Sequence, residues 1–197
     1  MLKRTFDFVM AGLGLLLLAP LLLAVALWVK LDSSGPVLFR QQRVGRAGRP
    51  FFIHKFRSMR TDVSGQAAQI TVGADPRITS AGQVLRRCKL DELPQLWDVL
   101  RGAMSLVGPR PEVPKYVALY PPEMRQLVLS IRPGITDLAS IEYRDESALL
   151  AEASDPELTY TQVILPAKLA LAARYVQTRS FAGDLRLLLR TLRVIAG

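Results

Sequence analysis

Between Asp7 and Lys30 the chain runs for 22 residues, Phe8 to Val29, without a charged side chain. As one helix this stretch is roughly 33 Å long, about the hydrocarbon thickness of a bilayer. Basic residues stand on both sides of it, Lys3 and Arg4 before, Lys30 and then Arg40, Arg43, Arg46 and Arg49 after. Lys and Arg favour the cytoplasmic side of a membrane, so both ends are drawn to one face. Pro20 sits near the middle, where it has no amide to offer the Leu16 carbonyl and bends or breaks a helix. Two readings stand level on the residues alone: a kinked span, and a hairpin that turns near Ala19-Pro20 and leaves by the face it entered. Trp28 suits an interfacial anchor. A cleaved signal is the weaker reading, because Ala24-Val25-Ala26 is followed by Leu27-Trp28-Val29 and not by polar chain.

Composition bears on what this segment is attached to. Half of the 197 residues are hydrophobic although 22% are charged, and the mean hydropathy is +0.21. Such a chain buries a core, which excludes disorder. The net charge of +9 is uneven: residues 1–61 hold ten basic and two acidic side chains, and the rest hold 16 and 15. From Ser33 to Thr61 there are seven Lys/Arg and no acid, a surface suited to lipid headgroups or to phosphates. The lone Cys88 excludes an intrachain disulfide and, with His54 as the one histidine, leaves no Cys/His zinc set. A reducing, cytosol-facing compartment is expected.

Pro36 to Met59 reads as a β-hairpin, with Val37-Leu38-Phe39 and Phe51-Phe52-Ile53 as strands around a turn holding Gly45 and Gly48. Gly65 to Arg77 is polar and turn-rich, a loop. Gln83 to Lys89 is helical or extended. Pro94 suits a first helical turn, with Asp91 near the N-cap and Leu96, Val99 and Leu100 on a buried face. Tyr116 to Ile131 is expected to be one helix, ended by Arg132-Pro133-Gly134. Two amphipathic helices close the chain. In the last, Arg186, Arg190 and Arg193 line one face and Leu185, Leu188, Leu189, Leu192 and Ile195 the other, a pattern shared by core-packing and membrane-surface helices.

Asp91 and Glu92 are adjacent carboxylates with Arg86, Arg87 and Lys89 just upstream. Neighbours on a helix point about 100° apart, so they cannot approach one atom symmetrically but can divide roles. One can act as nucleophile, since a carboxylate attacks phosphorus to form an acyl phosphate, while the other handles a proton or a metal. A helix N-terminus and nearby arginines would stabilise phosphate charge. The bland reading is that acids in a first turn only cap it. Arg110, held between Pro109 and Pro111, is either a surface turn or a rigid phosphate grip. His54 is expected to pair or face solvent. No dinucleotide loop, P-loop or Ser/His/Asp pattern is present.

Six motifs occur in order: Phe39-Arg40-Gln41-Gln42-Arg43-Val44-Gly45, Lys55-Phe56-Arg57-Ser58-Met59, Asp75-Pro76-Arg77-Ile78-Thr79, Leu90-Asp91-Glu92-Leu93-Pro94-Gln95-Leu96, Val107-Gly108-Pro109-Arg110-Pro111 and Arg132-Pro133-Gly134-Ile135-Thr136. Together they resemble the bacterial sugar transferases known as monotopic phosphoglycosyl transferases, over nearly the whole chain and in the minimal form. The resemblance implies an α+β monotopic membrane protein with a re-entrant helix broken at Ala19-Pro20, a small β-hairpin and several short and amphipathic interfacial helices. It implies a membrane segment over residues 1–32 and a cytosolic catalytic domain over 33–197, folded as one unit. The implied reaction moves a phosphosugar from a UDP-sugar to polyprenol (undecaprenyl) phosphate with release of UMP, by a ping-pong route that needs Mg²⁺. It would be the first membrane step of glycoconjugate or polysaccharide synthesis, at the cytoplasmic face of the bacterial inner membrane and among its lipids.

Carried onto this sequence, Asp91 would be the nucleophile and hold the Mg²⁺, and Glu92 would assist as a base. Arg86, Arg110 and Arg132 would contact phosphates, with Lys55 and Arg57 as weaker candidates. The chain departs from the family at two places: Ala19 stands where Ser is common, and Asp137 with Ile141 to Glu146 replaces an Asn-Gly-Arg segment. The competing readings are a membrane-anchored basic protein that binds anionic lipid or nucleic acid without catalysis, and a secreted hydrolase behind a cleaved signal. No nucleic-acid motif supports the former, so no nucleic-acid partner is expected. A homodimer is compatible with the sequence.

Overall fold

The computed structural model describes residues 2–60 and 70–196. Helices α1 (Leu2–Leu17) and α2 (Ala19–Asp32) divide the apolar run, and their axes are bent by 63°. Pro20 lies in the first turn of α2, where a missing amide costs least. The hydrogen-bond ladder continues beside it, from the Leu18 amide to the Gly14 carbonyl at 2.9 Å and from Leu22 to Leu18 at 2.8 Å. Proline here starts a second helix. Arms of 16 and 14 residues are about 24 and 21 Å long. No single helix among the described residues is long and apolar enough to cross a membrane. Leu16, Leu17, Leu23, Leu27, Trp28 and Leu31 are all exposed along the two arms.

Polar side chains fasten α1 to the rest of the protein. Lys3 donates to Asp184 at 2.6 Å, and Arg4 donates to the Val99 and Leu100 carbonyls at 2.7 and 3.0 Å. Asp7 is buried and accepts the Ser105 hydroxyl at 2.8 Å and the Leu106 amide at 3.2 Å. Replacing Asp7 with Ala strands both donors. The expected cost is about 2–4 kcal/mol, read as a fall of about 5–15 °C in the melting midpoint of the purified protein.

Strands β1 (Leu38–Val44) and β2 (Pro50–Phe56) form the expected hairpin, antiparallel from Leu38 opposite Phe56 to Val44 opposite Pro50. Its outer edges are covered. The Val44 amide meets the Glu112 carbonyl at 2.9 Å on one side, and the His54 amide meets Asp98 at 2.9 Å on the other. The described part of the expected loop, residues 70–77, carries no helix or strand, and residues 65–69 of it lie outside the described residues. Helix α3 (Ser80–Arg87) is capped by Thr79, whose hydroxyl accepts the Gly82 amide. A 3-10 turn at Leu90–Glu92 leads into α4 (Gln95–Leu100), with Pro94 at its N-cap and Val99 fully buried.

Strand β3 (Ser105–Val107) pairs in parallel with β4 (Gly134–Thr136). The expected helix over Tyr116–Ile131 is instead two, α5 (Pro114–Val117) and α6 (Pro122–Val128). Pro121 and Pro122 explain the division, since each lacks an amide and Pro121 turns Tyr120 away from helical backbone. The chain continues through α7 (Leu138–Glu142), α8 (Glu146–Ala151), α9 (Pro156–Thr159), a π-turn at Tyr160–Ile164, α10 (Leu165–Thr178) and α11 (Phe181–Ala196). In α11, Leu187 and Leu188 pack on the core whereas Leu189 and Leu192 are exposed, so its apolar face is split between protein and surroundings. The main core joins Ala11 of α1 to Ile53, Val99, Met104, Val107 and Tyr175. The first helix is therefore part of the same packed body as the strands.

Candidate active site

The 3-10 turn brings two carboxylates to one place by an unusual backbone. Lys89, which precedes it, adopts φ +56°, a left-handed conformation that a non-glycine residue takes only under constraint. This reverses the chain at the end of α3 and sets Asp91 and Glu92 beside β2. Glu92 is gripped by two cations. Lys55 on β2 donates to its Oε1 at 2.7 Å, and Arg110 donates to Oε1 at 2.5 Å and to Oε2 at 3.2 Å. Pro109 and Pro111 restrict the backbone on either side of Arg110, and its amide donates to Asp137 at 3.1 Å. Asp137 in turn caps α7 by accepting the Ser140 amide at 2.7 Å.

The two carboxylates are electrostatically unlike. Burial alone pushes Glu92 up, but Arg110 and Lys55 outweigh it and hold its carboxyl well below the usual carboxylate range. Asp91 is pushed up, by burial first and by Glu92, with Lys55, Arg86 and Lys89 pulling the other way. Burial also draws the Lys55 ammonium below its ordinary value, against the pull of Glu92. One oxygen of Asp91, Oδ1, is buried and has no hydrogen-bond partner. An unpartnered carboxylate oxygen ringed by cations is costly to keep and is available to an electrophile or a metal ion.

Arg86 lies close enough for its charge to act on Asp91, and it is held by Ser58 at 2.9 Å and Thr71 at 3.3 Å. Lys55, Arg86 and Arg110 thus converge on the dyad. Arg57 and Arg132 go elsewhere. Arg57 is buried, and its Nη2 donates to the Val29 and Ser33 carbonyls at 3.2 and 2.6 Å, closing the C-terminal end of α2. Arg132 donates to the Gly102 carbonyl at 2.8 Å, beyond the end of α4 that lies away from the dyad. Ala19 and Pro20 lie at the helix break. The sequence gives no local sign of Thr71, whose part in holding Arg86 depends on a fold contact across 15 residues.

Among the described residues no three or more His, Cys, Asp or Glu side chains cluster closely enough to cage a metal. Mg²⁺ does not need a cage, since it keeps several waters and binds through one or two carboxylates plus substrate phosphates. The orphaned Oδ1 of Asp91 fits such a ligand.

The depressed Glu92 carboxyl has a consequence for stability. A group whose pKa is lowered on folding stabilises the protein above its unfolded value, about 4.3, and that contribution is lost as pH falls through the folded value. Asp91, raised on folding, acts in the opposite sense. Glu92→Gln is therefore expected to flatten the acid limb of a melting-midpoint profile below about pH 4.3, measured by near-ultraviolet circular dichroism.

The sequence profile of the bacterial sugar transferases matches residues 1–197. The chain belongs to that family. Among its curated relatives, this chain is 44% identical over 197 residues to an undecaprenyl-phosphate glucose phosphotransferase of Komagataeibacter xylinus, covering 97% of this chain and 35% of the relative. It is 39% identical over 201 residues to a UDP-glucose:undecaprenyl-phosphate glucose-1-phosphate transferase of Caulobacter vibrioides, covering 96% and 68%. It is 36% identical over 196 residues to a UDP-N-acetylgalactosamine-undecaprenyl-phosphate N-acetylgalactosaminephosphotransferase of Aeromonas hydrophila, covering 98% and 43%. The chain thus spans between about a third and two thirds of the length of these relatives.

Proposed function

We propose that this chain transfers a phosphosugar from a UDP-sugar to undecaprenyl phosphate, with Asp91 as the nucleophile. The observation that carries the reading is the buried, unpartnered Oδ1 of Asp91 surrounded by Lys55, Arg86 and Lys89. The names of the relatives supply the substrate class. In the first step a carboxylate oxygen of Asp91 attacks the phosphorus that bears the sugar. The bond from that phosphorus to the bridging oxygen breaks, UMP leaves with the electron pair, and an aspartyl phosphosugar remains. In the second step an oxygen of the lipid phosphate attacks the same phosphorus, and Asp91 is released as carboxylate.

The cations act as a fixed counter-charge. Arg86 and Arg110 neutralise the diphosphate without the reorganisation that water would need. Glu92, ionised and clamped by Lys55 and Arg110, orients both. When bound, Mg²⁺ on Asp91 adds charge neutralisation at the leaving phosphate.

The same reading places the two-arm helix in a membrane, entering and leaving by the cytoplasmic face of the bacterial inner membrane. Its support is the continuous apolar exterior of α1 and α2, the 63° bend, and the basic residues at both ends. With that bend, arms of about 24 and 21 Å reach a depth of about 12 Å, within one leaflet of a hydrocarbon core about 30 Å thick. The test is incubation of purified protein with Mg²⁺, undecaprenyl phosphate and a panel of radiolabelled UDP-sugars. UMP and a lipid-linked phosphosugar are the expected products, and the reading fails if no UDP-sugar yields UMP. Labelling of a cysteine at position 2 from outside intact cells would contradict the re-entrant path.

A further inference from the structure

His54 is the residue before Lys55 on β2, and Asp98 follows Glu92 by six residues, in the first turn of α4. Asp98 is 2% exposed and binds His54 twice: Oδ2 accepts the backbone amide at 2.9 Å and Oδ1 lies 2.7 Å from Nδ1 of the ring. The amide belongs to the outer edge of the hairpin, where β2 has no strand partner. An edge amide buried without an acceptor would be costly, so Asp98 supplies what a third strand would. With its acceptor role fixed, Asp98 requires the ring proton on Nδ1. Two bonds to one carboxylate fix both the position of β2 along α4 and the rotation of residue 54.

We propose that Asp98 and His54 form a positioning pair that holds Lys55 against Glu92, and through Glu92 sets Arg110. The contacts close a ring: His54 to Lys55 along β2, Lys55 to Glu92 at 2.7 Å, Glu92 through the 3-10 turn into α4, and Asp98 back to His54. Lysine is a compact point charge on a flexible four-carbon stem, and its ammonium stays in one place only if the root of the stem does. Glu92 takes donors from Lys55 and Arg110 on the same oxygen, Oε1, so any drift of Lys55 changes how Arg110 is held. The pair itself touches no substrate. Its effect on transfer rests on the reading of Asp91 as nucleophile, whereas its effect on Lys55 does not.

The test uses two substitutions in the full chain. His54→Phe keeps the ring and removes the donor. His54→Asn keeps a donor at the δ position and removes the ring. Acylation of lysines with a small succinimidyl ester, read by peptide mass spectrometry, reports how firmly Lys55 is held, with the half-exposed Lys115 as reference. Expected is a rise of about fivefold in Lys55 labelling relative to Lys115 in His54→Phe, with the Asn variant within about twofold of the parent. UMP release should show a kcat about tenfold lower in the Phe variant, a KM for UDP-sugar changed by less than about threefold, and recovery in the Asn variant. Unchanged Lys55 labelling in His54→Phe overturns the proposal, as does equal labelling of Phe and Asn variants. If the parent releases no UMP, the transferase reading fails, and lysine labelling still decides whether the pair positions Lys55.

Discussion

Asp91→Asn is expected to lower transfer by at least about 1,000-fold, because the amide is isosteric with the carboxylate but cannot attack phosphorus. The protein should stay folded. The Oδ1 of Asp91 has no hydrogen-bond partner to lose, and its carboxyl is already raised by burial. A group raised on folding contributes stability at low pH and loses it as pH rises through the folded value, so at neutral pH the ionised Asp91 is a burden on the fold. The Asn variant is accordingly expected to melt at or above the temperature of the parent, a pattern that separates a reacting group from a supporting one. Activity is read as UMP release, stability as the melting midpoint, and the aspartyl phosphosugar as a mass increment on the peptide holding Asp91. Full activity in Asp91→Asn would sink the mechanism.

Gly134→Ala is expected to disrupt the fold. A Cβ at this position would lie 2.1 Å from the Gly108 amide nitrogen and 2.5 Å from the Gly108 carbonyl oxygen, both backbone atoms that no rotamer can move. The reciprocal position is as tight, since a Cβ on Gly108 would stand 2.6 Å from the Arg132 carbonyl. The strands β3 and β4 would have to separate, and with them the segment that carries Arg110 and the Asp137 that holds its amide. A loss above about 4 kcal/mol is expected, seen as little folded protein recovered after expression. Gly48→Ala is the comparison. Gly48 has φ +74° but open space around it, so only the left-handed backbone penalty of about 1 kcal/mol applies.

Much of this arrangement could be read from local chemistry. Pro20 divides an apolar run because its missing amide is a property of the residue itself, and Pro121-Pro122 divides a second helix for the same reason. That second break shows the limit of following apolar periodicity past adjacent prolines. The dyad and the rigid Arg110 were visible as residue types in suggestive company. Their partners were not, because partnership is a tertiary fact. Nothing adjacent to Arg57 shows that it closes the end of α2, or that Arg132 turns to Gly102 and away from the dyad. The basic flank at Lys3 and Arg4 shows the same limit. Charge counting uses it only to draw the end of the apolar run to the cytoplasmic face, yet its side chains bind Asp184 and the last carbonyls of α4.

Those bonds, with Asp7 on Ser105 and Leu106, have a consequence for how far the protein can be rebuilt. A tethered anchor lets its cargo rise, fall and tilt over the bilayer, so one anchor can stand in for another. Here α1 is bolted to α4 and β3, the two elements that follow the Asp91 turn along the chain. On the proposed membrane placement, the height of Asp91 above the lipid plane is a rigid dimension of the molecule, like the offset of a blade in its handle. A donor that arrives dissolved in water can be met at any height, but an acceptor phosphate fixed to a membrane-buried chain can be met at only one. Loosening those bonds, as in Asp7→Ala, should therefore spare formation of the aspartyl adduct far better than its discharge to lipid.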